Sequence, residues 1–124
     1  MYRKLIGSLA ASAAATLVVM LVSGPLHAAE LSTAQAKKMF NHRGCNACHG
    51  VDEMRIGPSY RMIAERYASG TADIADKLSK KVIYGGAGAW GIVPMISNPN
   101  VSETEADALV RWILDLHKPE QAHR

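Results

Sequence analysis

The feature that most constrains this 124-residue chain is its only pair of cysteines, which a histidine follows at once in the run Cys45-Asn46-Ala47-Cys48-His49. A redox-active dithiol uses Cys-x-x-Cys in a fold of alternating strands and helices, and the sequence shows no strand pattern. A structural zinc site needs four ligands with paired spacing, and neither a second cysteine pair nor a histidine-rich cluster follows. The sequence therefore favours neither of these two sites.

Covalent haem attachment is the third use of the pattern and the one that the motif favours, because Cys-x-x-Cys-His is its signature. Thiols about one turn apart can add to the two vinyl groups on one edge of a porphyrin, and the adjacent histidine then lies beneath the iron. We predict one haem c, attached through Cys45 and Cys48, with His49 as the proximal ligand of its iron. A disulfide between the two cysteines in an oxidising compartment remains the alternative.

The N-terminus has the pattern of an export signal. The basic pair Arg3-Lys4 precedes an apolar stretch at residues 5–22, and Gly24-Pro25 then breaks any helix. Small residues follow, with cleavage expected after Ala28 or Ala29. An uncleaved membrane anchor is the alternative, because the apolar stretch is nearly long enough to span a bilayer.

We therefore predict a cleavable signal peptide at residues 1–28 and one domain at residues 29–124. The chain has 14 basic residues, of which Arg3 and Lys4 lie in the signal, so that 12 remain against 11 acidic residues. The domain is nearly neutral and lacks the basic stripe of a nucleic-acid-binding protein. Only 6% of the residues are aromatic, and a small domain with few large side chains usually needs a cofactor or crosslink for stability.

The domain is predicted to contain four helices separated by glycine- and proline-containing loops. Two capping boxes, Ser32 with Gln35 and Ser102 with Glu105, mark the start of the first and last helices. The predicted helices run from Ser32 to about Arg43, from Ser59 to Tyr67, from Thr71 to Gly85, and from Ser102 to Pro119. The fold class is therefore all-α.

The long segment from Gly85 to Val101 contains four glycines and two prolines, yet it also carries several apolar side chains. A loop of this length and composition is expected to wrap a ligand. The candidates for the sixth iron ligand are Met39, Met54, Met62, Met95, His42, His117 and His123. We favour Met95, because it follows Pro94 and lies 46 residues beyond His49, which lets the chain reach the far side of a haem. His117 is the second choice.

Four runs of residues together resemble the small bacterial class I cytochromes c of the cytochrome c-551 type. They are the CNACH run, Gly57-Pro58-Ser59-Tyr60, Ala89-Trp90-Gly91-Ile92-Val93-Pro94-Met95, and Leu109-Val110-Arg111-Trp112-Ile113. The resemblance covers nearly all of the chain from Ala34 to Leu116. It implies the small class I cytochrome c fold, with about four helices wrapped around one covalently bound haem.

The resemblance also implies roles for individual residues around the haem. Pro58 matches a proline whose carbonyl accepts the Nδ1–H of the proximal histidine, a contact that fixes the ring. Trp90 matches a haem-propionate donor, and Lys81 matches a basic position near a propionate. Phe40 and Trp112 match helix positions that pack near the haem.

The segment after Met95 departs from the family pattern. Members of the family often have proline at the positions of Ile92, Ile96 and Ser97, and the stretch from Met95 to Ser102 is one residue longer. Asn98 matches an asparagine that hydrogen-bonds on the sulfur side of the methionine ligand. The extra residue leaves Asn100 as the alternative for that role.

The function implied is single-electron transfer by a periplasmic carrier that is not an enzyme, since His49 and Met95 together leave the iron no open position for a substrate. The expected partners are an electron donor and a reductase or oxidase, docking on a monomer at the haem edge near Cys45 and Cys48 through a small transient interface. Lys37 and Lys38 would steer their encounter. The alternative is a haem-based sensor or a small haem enzyme with an exchangeable sixth ligand.

Overall fold

A computed structural model of the chain describes residues 30–118. The predicted signal peptide with its cleavage site, Pro119 and the candidate ligand His123 lie outside this range. This range contains four helices: α1 (Thr33–His42), α2 (Tyr60–Tyr67), α3 (Ile74–Tyr84) and α4 (Glu103–Asp115), with a 3₁₀ turn at Cys45–Ala47. Residues 30–118 contain no β-strand, only two isolated bridges, and the all-α prediction is confirmed.

The two capping boxes begin α1 and α4 as predicted. The hydroxyl of Ser32 accepts the N–H of Gln35, whose side chain accepts the N–H of Ser32. Ser102 and Glu105 repeat this reciprocal pair at the start of α4. Each pair satisfies N–H groups that the first turn of a helix would otherwise leave without partners.

Helix α3 begins at Ile74, three residues later than the predicted start at Thr71. The hydroxyl of Thr71 donates to the carboxylate of Asp73, and the N–H of Ile74 bonds to the carbonyl of Thr71 at 2.9 Å. Residues 71–73 therefore form a turn, because these short polar side chains bond locally instead of entering the helix.

The core lies where α1, α2 and α4 meet. Phe40 of α1 stacks on Tyr60 of α2 at 4.2 Å between ring centroids, and Trp112 of α4 meets Phe40 edge-on at 5.4 Å. Ala36 and Ala64 are fully buried between the helices, where small side chains allow close approach. This aromatic cluster also supports the segment between α1 and α2, which carries the cysteines and His49.

Candidate functional site

A single tight turn places the two cysteines. Gly44 ends α1 in the left-handed region at φ 74°, a conformation that glycine adopts without a steric penalty. The chain then enters the 3₁₀ turn, in which the N–H of Cys48 bonds to the carbonyl of Cys45 at 3.1 Å. Side chains three residues apart in such a turn lie on the same side, so both thiols face one way.

His49 is held by its Nδ1 atom, which lies 2.7 Å from the carbonyl oxygen of Pro58. A carbonyl can only accept, so Nδ1 donates the hydrogen and Nε2 keeps the lone pair that binds a metal. The imidazole is buried, at 8% exposure, and stacks against the ring of Tyr60 at 5.7 Å. The structure thus brings His49 and Pro58 together as the resemblance implied, with one ring nitrogen available to iron.

Gly57 is a site residue whose role no sequence pattern indicated. A Cβ atom added there would lie 2.5 Å from Cε1 of His49 and about 3 Å from both ring nitrogens. Its N–H also bonds to the carbonyl of Cys48 at 2.8 Å. Only a residue without a side chain fits against the imidazole. The feature of the sequence that could have indicated this role is the glycine directly before Pro58.

The Cys45 thiol lacks the lowered pKa of a redox-active dithiol. Cys45 and Cys48 are not joined by a disulfide. Burial raises the pKa of the Cys45 thiol, whereas a redox-active dithiol depends on a lowered pKa. Within residues 30–118, no cluster of three or more histidine, cysteine or acidic side chains could hold a zinc ion.

Met95 lies in the segment between α3 and α4, where hydrogen bonds fix its backbone. Gly86 and Met95 exchange two backbone bonds, of 2.9 and 3.0 Å. A Cβ atom at Gly85 would lie 2.4 Å from the carbonyl oxygen of Met95, so the segment packs directly on the end of α3. Met95 itself is half-buried, and its place on the iron stays a prediction.

Asn98 ties the same segment to α3. Its backbone N–H bonds to the carbonyl of Ile83 at 2.9 Å, and its side-chain amide donates to the carbonyls of Val82, at 2.9 Å, and Ile96, at 3.1 Å. The amide nitrogen has two hydrogens, and both bonds are to backbone. Asn98 therefore positions the loop around Met95, and its contact with the methionine sulfur stays a prediction, with Asn100 exposed on the surface nearby.

Lys81 and Trp90, the two residues predicted to lie near the haem propionates, are held by different contacts. The ammonium of Lys81 lies against Gly86: a Cβ atom added to Gly86 would be 2.8 Å from Nζ of Lys81. Trp90 is 38% exposed and lies under the guanidinium of Arg66, 4.4 Å from ring centroid to Cζ. Arg66 is a second residue near the site that no sequence pattern indicated.

Four of the other candidate ligands lie at the surface or against the core. His117 is exposed beyond the end of α4, with its Nδ1 bonded to the carbonyl of Leu114. His42 is exposed in the last turn of α1, and Met39 packs against the core cluster. Met54 is exposed and bridges to His49 through its backbone.

The surroundings of His49 and Met95 fit a large apolar group. Met54 and Ile56, shortly after His49, are both 68% exposed to solvent, although small domains rarely leave such side chains uncovered together. Ile92, Val93 and Ile96 flank Met95 and are also exposed. A porphyrin attached at Cys45 and Cys48 would give both segments an apolar partner.

An all-α domain with a Cys-x-x-Cys-His turn and an oriented proximal histidine defines a haem-binding electron-transfer protein. Residues 33–117 match the family model for cytochrome c, and the chain belongs to the cytochrome c family. As a member of this family it carries covalently bound haem c with its iron and transfers electrons.

Individual relatives agree with this assignment. The chain is 44% identical over 78 residues to cytochrome c-551 of Azotobacter vinelandii, covering 63% of this chain and 93% of that protein. It is 40% identical over 111 residues to cytochrome c-552 of Nitrosomonas europaea, covering 90% and 94%. The crystal structure of wild-type Nitrosomonas europaea cytochrome c552 superimposes with a TM-score of 0.61 at 39% identity, covering 64% of this chain and 98% of that one. The resemblance to small class I cytochromes c is confirmed.

The described part of the chain offers no helix that is both long and apolar enough to cross a membrane.

Proposed function

We propose that this chain is a periplasmic carrier of single electrons whose iron is held by His49 and Met95, with haem c attached at Cys45 and Cys48. The observation that carries the proposal is the 2.7 Å contact between His49 Nδ1 and the carbonyl oxygen of Pro58. It fixes the tautomer and raises the basicity of the nitrogen that would bind iron.

The protein's own residues would keep the iron environment unchanged between the two redox states. The haem supplies one-electron exchange between Fe(II) and Fe(III). Pro58 and Gly57 hold the imidazole from behind, while Gly86 and Asn98 hold the Met95 segment against α3. A rigid pair of ligands keeps the structural change on electron transfer small, and a thioether ligand raises the reduction potential.

The proposal includes a non-enzymatic role, because two protein ligands leave the iron no position for a substrate. Trp90 and Lys81 are proposed to face the haem propionates. Residues 1–28 are proposed to be a cleaved signal peptide, so that the mature domain acts in the periplasm as a monomer. Its partners are proposed to be an electron donor and a reductase or oxidase, with the exposed Lys37 and Lys38 steering their approach.

The experiment replaces one methionine at a time in the matured holoprotein. Met95→Ala should abolish the long-wavelength absorption band of thioether-ligated Fe(III), lower the reduction potential and let added imidazole bind. Met54→Ala is the control, because Met54 is exposed and contributes its backbone to the bridge with His49. It should keep the thioether band and the exclusion of imidazole, and only a small shift in the reduction potential is expected, because Met54 lies in the apolar surface that the haem would cover.

Two results would contradict parts of the proposal. A wild-type holoprotein that lacks the thioether band and binds imidazole would favour a sensor or enzyme with an exchangeable ligand. A pyridine haemochrome assay without haem c, on protein exported by its own N-terminus, would contradict covalent attachment. Mass spectrometry of the same protein gives the cleavage site and tests Ala28 against Ala29.

A further inference from the structure

The stacking of Arg66 on Trp90 joins two distant parts of the chain. Arg66 lies in the last turn of α2 and is exposed, and Trp90 lies in the loop that leads to Met95. Cζ of Arg66 is 4.4 Å from the centroid of the Trp90 ring, within the range of a cation–π contact. Tyr67 lies on the same guanidinium at 5.9 Å.

The backbone around Trp90 gives its side chain little support. Gly88 and Gly91 flank it with φ of 95° and 115°, and neither has a heavy atom within 4 Å of an added Cβ position. The tip of this loop, residues 88–91, is closed by a backbone hydrogen bond from the N–H of Gly88 to the carbonyl of Gly91 at 2.9 Å. The direction of the indole therefore depends on what its ring contacts, and Arg66 is the cation over that ring.

We propose that Arg66 is a positioning residue that fixes the Trp90 indole as a hydrogen-bond donor to a haem propionate and adds positive charge beside it. The inference rests on the proposed function, in which Trp90 faces a propionate. A guanidinium over the ring face leaves the N–H in the ring plane free to donate. The C-terminal end of α2 also favours a cation at this position.

The sequence contains no local pattern that reveals this pair, since the two residues lie 24 positions apart. Lys81 contributes a second cation, whose ammonium lies against Gly86 at the base of the loop. Arg66 would act on the propionate through the Trp90 indole, and Lys81 would act on it directly. The two contributions can therefore be separated by substitution.

The experiment uses the reduced holoprotein labelled with ¹⁵N, in which each of the two tryptophans gives one indole N–H signal. Trp112 is 7% exposed in the core and serves as an internal reference. Arg66→Gln should move the Trp90 signal and speed its exchange with water about three- to fivefold, the size of effect expected for a cation–π contact. The Trp112 signal should stay in place.

Two further variants control for charge and for the shape of the side chain. Arg111→Gln removes an exposed guanidinium from α4, where it pairs with Asp107 at 2.7 Å, and should leave the Trp90 signal unchanged. Arg66→Lys keeps the charge but loses the flat guanidinium, so it should retain part of the protection.

The pH dependence of the reduction potential gives a second measurement. An ionised propionate favours Fe(III), so the potential falls as pH rises through the propionate pKa. Arg66→Gln removes a cation that favours the ionised form, and the fall should move to higher pH, whereas Arg111→Gln should leave it in place.

An unchanged Trp90 signal in Arg66→Gln, in a folded protein with a normal haem spectrum, would overturn the positioning role. An unchanged pH profile would overturn the electrostatic one. Failure of the proposed function would look different, because it would show in the wild-type protein as absent haem c or an absent thioether band.

Discussion

The Nδ1 atom of His49 and the carbonyl oxygen of Pro58 are 2.7 Å apart, which leaves Nε2 as the one ring nitrogen free to bind iron. The same contact orients the imidazole plane, which Tyr60 supports by stacking at 5.7 Å. Gly57 closes the remaining side without a side chain. Gly57 and Pro58, just before α2, and Tyr60, its first residue, therefore all act on one ring.

Substitution of Gly57 by alanine should disturb that ring. The added Cβ would lie 2.5 Å from Cε1 of His49, closer than carbon atoms approach without displacement. We expect the free energy of unfolding of the holoprotein to fall by about 1–3 kcal/mol, as for other overpacked sites. Denaturant unfolding followed by the haem absorption measures the change.

Pro58→Ala is the matched comparison, because it keeps the carbonyl that accepts from His49 and removes only the proline ring. It should destabilise the holoprotein less than Gly57→Ala does. If Pro58→Ala proved the more damaging of the two, the proline ring, and not the space at Gly57, would be what supports the histidine.

Features that depend on local chemistry could be predicted from the sequence. The capping boxes at Ser32 and Ser102 satisfy backbone groups within three residues, so a short pattern is enough. The Cys-x-x-Cys-His turn is likewise local, because its spacing sets where the two thiols lie. The predicted start of α3 at Thr71 was wrong. A hydrogen bond between Thr71 and Asp73 competes with helix formation, and the sequence pattern does not show which of the two conformations is the more stable.

Features that depend on tertiary contacts could not be predicted. Arg66 meets Trp90 only because α2 and the loop lie side by side in the fold. Arg43 and Glu105 lie 62 residues apart in sequence and pair because α1 and α4 meet. The sequence identified Gly57 only as part of a motif, and its role follows from the distance to the imidazole.

Asn98 should matter for the Met95 segment because its amide donates to two backbone carbonyls. Asn98→Asp replaces the amide donor with a carboxylate oxygen, so that the carbonyls of Val82 and Ile96 lose their hydrogen-bond donor. We expect a loss of about 1–2 kcal/mol in the free energy of unfolding. The thioether band should also disappear at a lower temperature than in the wild-type protein.

Asn100→Asp makes the same change in charge two residues away, at an exposed position. It should have little effect on either measurement. The opposite ranking, with Asn100→Asp weakening the band more, would assign the support of Met95 to Asn100.

The Glu105 carboxylate should make the stability of the fold depend on pH. The Arg43 guanidinium, 2.5 Å away, lowers the pKa of this carboxyl from 4.5 to about 2, assisted by the N–H of Ser102. A pKa that is lower in the folded protein stabilises it fully above the unfolded value. That contribution is therefore present above pH 4.5 and is lost as the pH falls towards 2.

Glu105→Gln tests this contribution with the helix cap in place, because glutamine can also complete a capping box. At pH 7 the variant should be about 1–2 kcal/mol less stable, a modest value because both side chains of the pair are about a quarter exposed. Near pH 2 most of the difference from the wild-type protein should be gone, since the wild-type carboxyl is then about half protonated.

Glu103→Gln, an exposed change in the same first turn of α4, should leave the dependence of stability on pH almost unaltered. A difference in stability between Glu105→Gln and wild type that was as large at pH 2 as at pH 7 would show that the loss comes from the cap or from packing. A difference that closes as the pH falls would instead assign it to the ion pair that joins the first and last helices, which together support the haem-binding turn.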